Sequence, residues 1–131
     1  MKQKENENET LGLHGIKKTF SKDIAISQTK FHRGSLRSGQ KIEFEGSLVI
    51  LGDVNAGAEV FAGENIVVLG ILRGMAHAGA KGNKEAIIAA ASIESVQIRI
   101  ADRIKEIEKE ELTQEIKTCA FINDEGEIVI S

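Results

Sequence analysis

The sequence predicts an all-β fold, a short triangular β-solenoid running from Leu36 to Ala80 and closing one coil every 18 residues. Two observations carry this. The tetrapeptide VILG at Val49–Gly52 returns as VVLG at Val67–Gly70, eighteen residues later. Inside that period runs a finer one of six: Leu36, Ile42, Leu48, Val54, Val60, Ile66, Leu72 and Ala78 are all apolar. Two places after each stand Ser38, Phe44, Ile50, Ala56, Ala62, Val68, Gly74 and Ala80, all small or apolar. Strand side chains alternate between faces, so positions i and i+2 turn inward together. Three six-residue sides then close a coil, and coils stack about 4.8 Å apart. An antiparallel sheet also alternates, but nothing in it would hold a six-residue phase for so long. Gly34, Gly46, Gly52 and Gly70 fall near the expected corners, where the chain must bend sharply.

The flanking elements follow in order. Met1 to Thr10 is almost wholly polar and expected to be disordered. Leu11 to Ser27 mixes isolated apolar residues with Lys and Gly and receives no assignment. Residues 1–30 therefore count as a flexible N-terminal segment, 31–101 as the solenoid domain, and 102–131 as a charged connector with a C-terminal β segment. The hexad breaks at Lys81-Gly82-Asn83-Lys84-Glu85, read as a loop leaving the coil. Ala86 to Ile100 (AIIAAASIESVQIRI) resumes as a last coil in shifted phase, with a helix through its alanines as the alternative. ADRIKEIEKEELTQE, Ala101 to Glu115, reads as a solvated helix or charged connector. The closing CAFINDEGEIVIS holds two β-prone runs around Asp124-Glu125-Gly126, a hairpin signal.

Composition removes several function classes. The 131 residues suit one domain with flanks, and a net charge of -3 gives no basic field for nucleic acid or an anionic membrane. No Pro, Trp or Tyr is present and the aromatics are five Phe, so the core must be built from small residues in regular stacks. Cys119 is the lone cysteine; it can form no internal disulfide, suits a reducing compartment, and reads as a small buried hydrophobe. No apolar run approaches the roughly 18 residues of a membrane span, and MKQKENENET lacks the apolar stretch of a secretory signal, so a cytoplasmic location is expected. His14, His32, His77 and Cys119 show no metal-ligand spacing. Some acyltransferases with triangular coils use a catalytic His, and His77 is the only His within the solenoid. By the hexad phase it falls at a corner with no carboxylate recurring beside it, and three coils build little cleft. No catalytic residue, cofactor or enzymatic activity is therefore expected.

Outward positions give each side of the prism its own chemistry. The first side presents Arg37 and Gly39, then Asn55 and Gly57, then Arg73 and Met75; the second presents Glu43 and Glu45, Phe61 and Gly63, Gly79 and Lys81. The third presents Val49 and Leu51 over Val67 and Leu69, an aliphatic patch of a kind that soluble monomers rarely leave bare. Either the C-terminal segment covers it or a second copy does, a two-fold dimer being the simplest closed solution. Two arginines on a glycine-lined strip suit a carboxylate-bearing protein surface, because guanidinium pairs bidentately with carboxylate; solvent decoration is the plainer reading.

Leu36-Arg37-Ser38-Gly39-Gln40, VNAGAEV (Val54–Val60), GENIVVLGILRGMAHAGAKGN (Gly63–Asn83) and the QIRIAD of Gln97–Asp102 closely resemble the C-terminal domain of the MinC family, bacterial inhibitors of division-septum placement. The likeness runs from about Phe31 to Ile130. It implies a right-handed triangular β-helix that dimerises through one face. It also implies that Arg37, Ser38, Gly39 and Gln40 bind the membrane-associated ATPase MinD in its ATP-bound form, with Gly57 beside them and Asn55 and Arg73 on the same side. The partners so implied are a second copy and MinD, with the family's C-terminal domain also contributing to targeting toward FtsZ assemblies. The membrane is reached only through MinD, at its inner face, and any nucleotide belongs to MinD. Family members normally carry an N-terminal α/β domain that antagonises FtsZ polymerisation. About thirty residues precede the solenoid here, too few to build it, so FtsZ inhibition by this chain is not part of the expectation. The rival reading is a self-assembling structural solenoid of the bactofilin type, against which stand the RSGQ motif, the few coils and the Lys81–Glu85 loop.

Overall fold

Hexads that alternate apolar and polar residues bury one face only if each pairs in register with the equivalent hexad one coil away, and two stacks of parallel strands result. The computed structural model describes residues 28–131; Leu11–Ser27, His14 and nearly all of the segment expected to be flexible lie outside the described residues. One sheet runs β1 (Thr29–Arg33), β3 (Ser47–Leu51), β5 (Ile66–Leu72), β7 (Ile88–Ile93), β10 (Cys119–Ile122) and β11 (Ile128–Ile130). The other runs β2 (Lys41–Phe44), β4 (Glu59–Ala62), β6 (Met75–Ala78), β8 (Gln97–Ile100) and β9 (Arg103–Glu106). The coil-to-coil pairs are parallel; β9, β10 and β11 join antiparallel. The all-β solenoid is thus present, with its core between the sheets: Leu48, Ile50, Val54, Val60, Ala62, Ile66, Val68 and Leu72 are wholly buried. Each such Leu, Ile or Val contributes roughly 1.5–3 kcal/mol by leaving water.

The first side departs from the six-residue strand expected for it. Leu36 and Val54 pair only through isolated bridges, Val54 with Leu72 at the end of β5, and the residues after Leu36 and Val54 form tight turns. Ser38 and Ala56, expected inward, are exposed for that reason; a turn does not keep the two-residue alternation of a strand. The phase also breaks earlier than the Lys81–Glu85 loop. From Val54 to Glu59 the chain takes five steps, but from Leu72 to Met75 only three, so Glu59 pairs with Met75 sixteen positions on. Ala78 stays buried but in the second inward slot, Ala80 is exposed, and Gly79 is a buried turn residue off the second face. Met75 moves from the first side to the outer face of the second sheet. His77 likewise sits on that face beside Phe61, not at a corner.

Downstream, Ala86 to Ile100 forms β7 and β8, so the last-coil reading holds and the helix alternative does not. The connector is more strand than expected: Arg103–Glu106 folds back on β8 across the turn at Ala101 and Asp102, and only Lys109–Gln114 is helical (α1). The expected hairpin is present as β10 and β11, with Gly126 at φ 82° and the Asn123 side chain accepting the amides of Glu125 and Glu127. Ile107, Ala120, Ile128 and Ile130 from these pieces join the core and close one end of the coil.

Candidate functional site

Arg37-Ser38-Gly39-Gln40 folds as a β-turn because Gly39 supplies φ 89° at its third position. The Gln40 amide donates to the Arg37 carbonyl (3.0 Å), and the Gln40 side-chain oxygen accepts the Arg37 amide (2.7 Å), closing the loop twice. One coil on, Asn55-Ala56-Gly57-Ala58 repeats the turn, with Gly57 at φ 88° and the Ala58 amide on the Asn55 carbonyl at 3.0 Å. The turns stack. Gly39 donates to the Gly57 carbonyl (2.9 Å), Glu59 to the Gln40 carbonyl (3.0 Å), and the Asn55 side-chain amide to the Leu36 carbonyl (2.8 Å). A side chain at Gly57 would run into Ser38, whereas one at Gly39 would meet open space. The result is a rigid edge whose shape is set by backbone, with Arg37 exposed on it.

This edge brings Arg37, Ser38, Gly39, Gln40, Asn55 and Gly57 together. Arg73 is in the same row but in the coil that lacks the turn. There the amides of Arg73 and Gly74 both donate to the Val54 carbonyl (2.8 and 3.0 Å), and the chain cuts straight across to Met75. The Arg73 guanidinium lies 3.3 Å from the Glu94 carboxylate, so the two arginines are not equivalent. The shortened side of this coil leaves a recess of about 490 Å³ between the Gly57 turn and the bend at Val96, with Glu59, Met75 and Glu94 on its walls. Sequence reasoning missed Glu94 and Val96 because they belong to the coil whose phase is shifted.

The outer face of the first sheet holds Val49 paired with Val67, both half-buried, with Leu51 and Leu69 exposed beside them. Phe31 pairs with Val49 and is 64% exposed; Ala89 pairs with Val67, and Cys119 with Ala89. Cys119 is thus half-buried on the outer face rather than in the core. The C-terminal segment, expected as the alternative cover, instead hydrogen-bonds to the edge of β7 and lengthens the face, adding exposed Phe121. Phe31 escaped the sequence reading because the hexad was counted only from Leu36. Phe121 escaped it because its strand is antiparallel.

His77 is held rather than poised: a ring nitrogen lies 2.8 Å from the Ala101 carbonyl, and the ring packs edge-on against Phe61 at 5.8 Å between centroids. Among the described residues no helix is long and apolar enough to cross a membrane.

Comparison with known proteins agrees with this geometry. A family model described as "Septum formation inhibitor MinC, C-terminal domain" matches residues 30–131. A probable septum site-determining protein MinC of Acetivibrio thermocellus is 52% identical over 107 residues, covering 80% of this chain and 47% of that protein. That of Geobacillus thermodenitrificans is 49% identical over 98 residues, covering 72% and 42%. The chain therefore spans under half the length of these relatives. A solved chain from the MinC:MinD cell division protein complex of Aquifex aeolicus superposes with a TM-score of 0.73 at 37% identity, covering 80% of this chain and 86% of that one.

Proposed function

The chain belongs to the family of the septum formation inhibitor MinC, C-terminal domain, and from that premise we propose that it is a dimeric MinD-binding module of a regulator of division-site selection. In this reading ATP-bound MinD recruits it to the inner face of the cell membrane, as the targeting part of a system that keeps FtsZ rings from assembling at wrong sites; inhibition of FtsZ itself is not assigned to this chain. The stacked turns carry the proposal. Arg37, Ser38, Gly39, Gln40, Asn55 and Gly57 form one rigid, exposed edge, and the matching solved chain comes from a complex with MinD. A preformed edge loses little entropy on docking, and Arg37 offers a planar fork for a partner carboxylate. The bare aliphatic face of Val49, Leu51, Val67 and Leu69, widened by Phe31 and Phe121, supports two-fold self-association.

End-to-end polymerisation, the rival reading, is opposed by the first coil. Lys30 and His32 stand in register with the core residues Leu48 and Ile50, so a second copy stacked there would have to bury a lysine among aliphatic side chains. Inward-pointing charge is a known guard on an open strand edge.

The test is ATP-dependent recruitment of the chain to lipid vesicles carrying MinD. Recruitment with ATP and its loss in Arg37→Ala and Gly39→Asp, both still folded and dimeric, is the expected outcome. Gly39→Asp is a fair variant because the space beside Gly39 is open and Asp tolerates a left-handed turn position. Equal recruitment of parent and both variants would remove the turn edge from MinD binding.

A further inference from the structure

The turn edge is electrically two-ended. Arg37 marks one end, in the first coil. The other end is the recess left where the first side of the third coil is two residues shorter than in the coils before it, and its charges differ. Arg73 is engaged by Glu94 at 3.3 Å, which leaves Glu59 on the wall with no ion pair among the described residues. The remaining lining carries no further charge: Ala56, Met75, the neutral Gln97 and Val96, the last 75% exposed. Gly74 cuts off the back of the recess, and a side chain there would crowd the Asn55 carbonyl at 2.7 Å.

The occupant follows from this lining. A space of about 490 Å³ takes one long side chain with room to spare. An acidic group would face the carboxylates of Glu59 and Glu94, with Arg73, already paired with Glu94, the one cation on the lining. A purely aliphatic one would leave Glu59 partly desolvated without compensation. A lysine or arginine satisfies both demands, its methylene stem against Met75 and Val96 and its cationic head at Glu59. Resting on the reading of this edge as the MinD surface, we propose that the recess receives a basic side chain of the partner, while a partner carboxylate meets Arg37. Opposite charges at the two ends fix the direction in which the partner lies along the edge. A reversed pose would set like charges together at both, which is how charged rims select register and exclude wrong poses.

The experiment compares retention on immobilised ATP-loaded MinD of the full chain and three variants: Glu59→Arg, Ala56→Trp and Arg37→Ala. Glu59 and Ala56 are exposed and neither has a positive φ, so thermal melts should match the parent within a few degrees and report intact folding. At least a tenfold loss of affinity is expected both for Glu59→Arg, which repels the basic head, and for Ala56→Trp, which fills the space. Parental affinity in either one overturns the recess as the site of a basic side chain. If Arg37→Ala alone loses binding, the edge stands as the MinD surface and only the recess assignment falls. If the parent itself is not retained, both readings fall together.

Discussion

The apolar face of the first sheet and the turn edge are both exposed, and both are built by stacking equivalent residues one coil apart, yet they store their specificity differently. On the face, strands project side chains at regular spacing, and what a partner meets is aliphatic and aromatic area from Phe31, Val49, Leu51, Val67, Leu69 and Phe121. On the edge the side chains are few, and what a partner meets is the path of the backbone, fixed by two glycines at φ 89° and 88° and a ladder of amide-to-carbonyl bonds. A surface made of area degrades gradually as side chains shrink and fails abruptly when charge is buried in it. A surface made of backbone ignores most side-chain changes and fails at single positions.

That contrast is most directly broken on the face. Leu51→Glu combined with Leu69→Glu would place two carboxylates in the proposed dimer seam, each facing the desolvation cost of several kcal/mol that an unpaired buried charge carries. The expected product is a folded monomer, with association weakened by more than a thousandfold. Sedimentation that still finds the parental dimer would place the interface elsewhere. MinD binding per chain should persist, since the edge is on another side of the prism.

The next largest effect belongs to the edge and separates its two glycines. Gly57→Val meets both a left-handed φ that β-branched residues avoid and the Ser38 Cβ, 2.9 Å from where the new Cβ would stand. A loss of roughly 2–4 kcal/mol is expected, from backbone strain of 1–3 kcal/mol plus the displaced turn. Gly39→Asp has only the φ term and should cost about 1 kcal/mol or less. Denaturant titrations giving equal losses for the two would mean that the turns are not stacked as described.

Face and edge also differed in how far the sequence disclosed them. The face was visible because hydropathy in a strand reports side-chain direction, so Val49, Leu51, Val67 and Leu69 could be placed outward from spacing alone. The edge was visible that way only in part. Spacing put Ser38 and Ala56 inward, because a hexad count presumes a strand and cannot see a turn in its place. Spacing did put Arg37, Gly39, Asn55 and Gly57 on one outward side, and what added Ser38 and Gln40 to them was family resemblance. The shortened first side of the third coil was hidden for a related reason: Ala76 and Ala78 are both apolar, so moving the phase by two residues leaves the pattern looking intact. From there on Met75, His77, Glu94 and Val96 all had to be read from the register of paired strands. Phe31 was within reach of an extended pattern, since it stands eighteen residues before Val49 in a column already found, whereas the antiparallel strand of Phe121 follows no such count.

The smallest expected effect tests whether the edge is held by backbone rather than by its charges. Arg73 and Glu94 form the one ion pair in the row of Arg37 and Asn55 among the described residues, and both side chains are about two-fifths exposed. A pair so open to solvent contributes on the order of 0.2–1 kcal/mol, and less as salt rises. Meanwhile the main chain at Arg73 is already fixed by its amide on the Val54 carbonyl at 2.8 Å, and the Ser95 hydroxyl lies 2.7 Å from the Gly74 carbonyl behind it. Glu94→Gln should therefore lower stability by less than about 1 kcal/mol, with the deficit shrinking further in high salt. If a denaturant series found a loss of several kcal/mol, charge and not hydrogen-bonded backbone would be shaping this end of the edge. The distinction between the two surfaces would then have to be drawn at Gly57 rather than around the whole row.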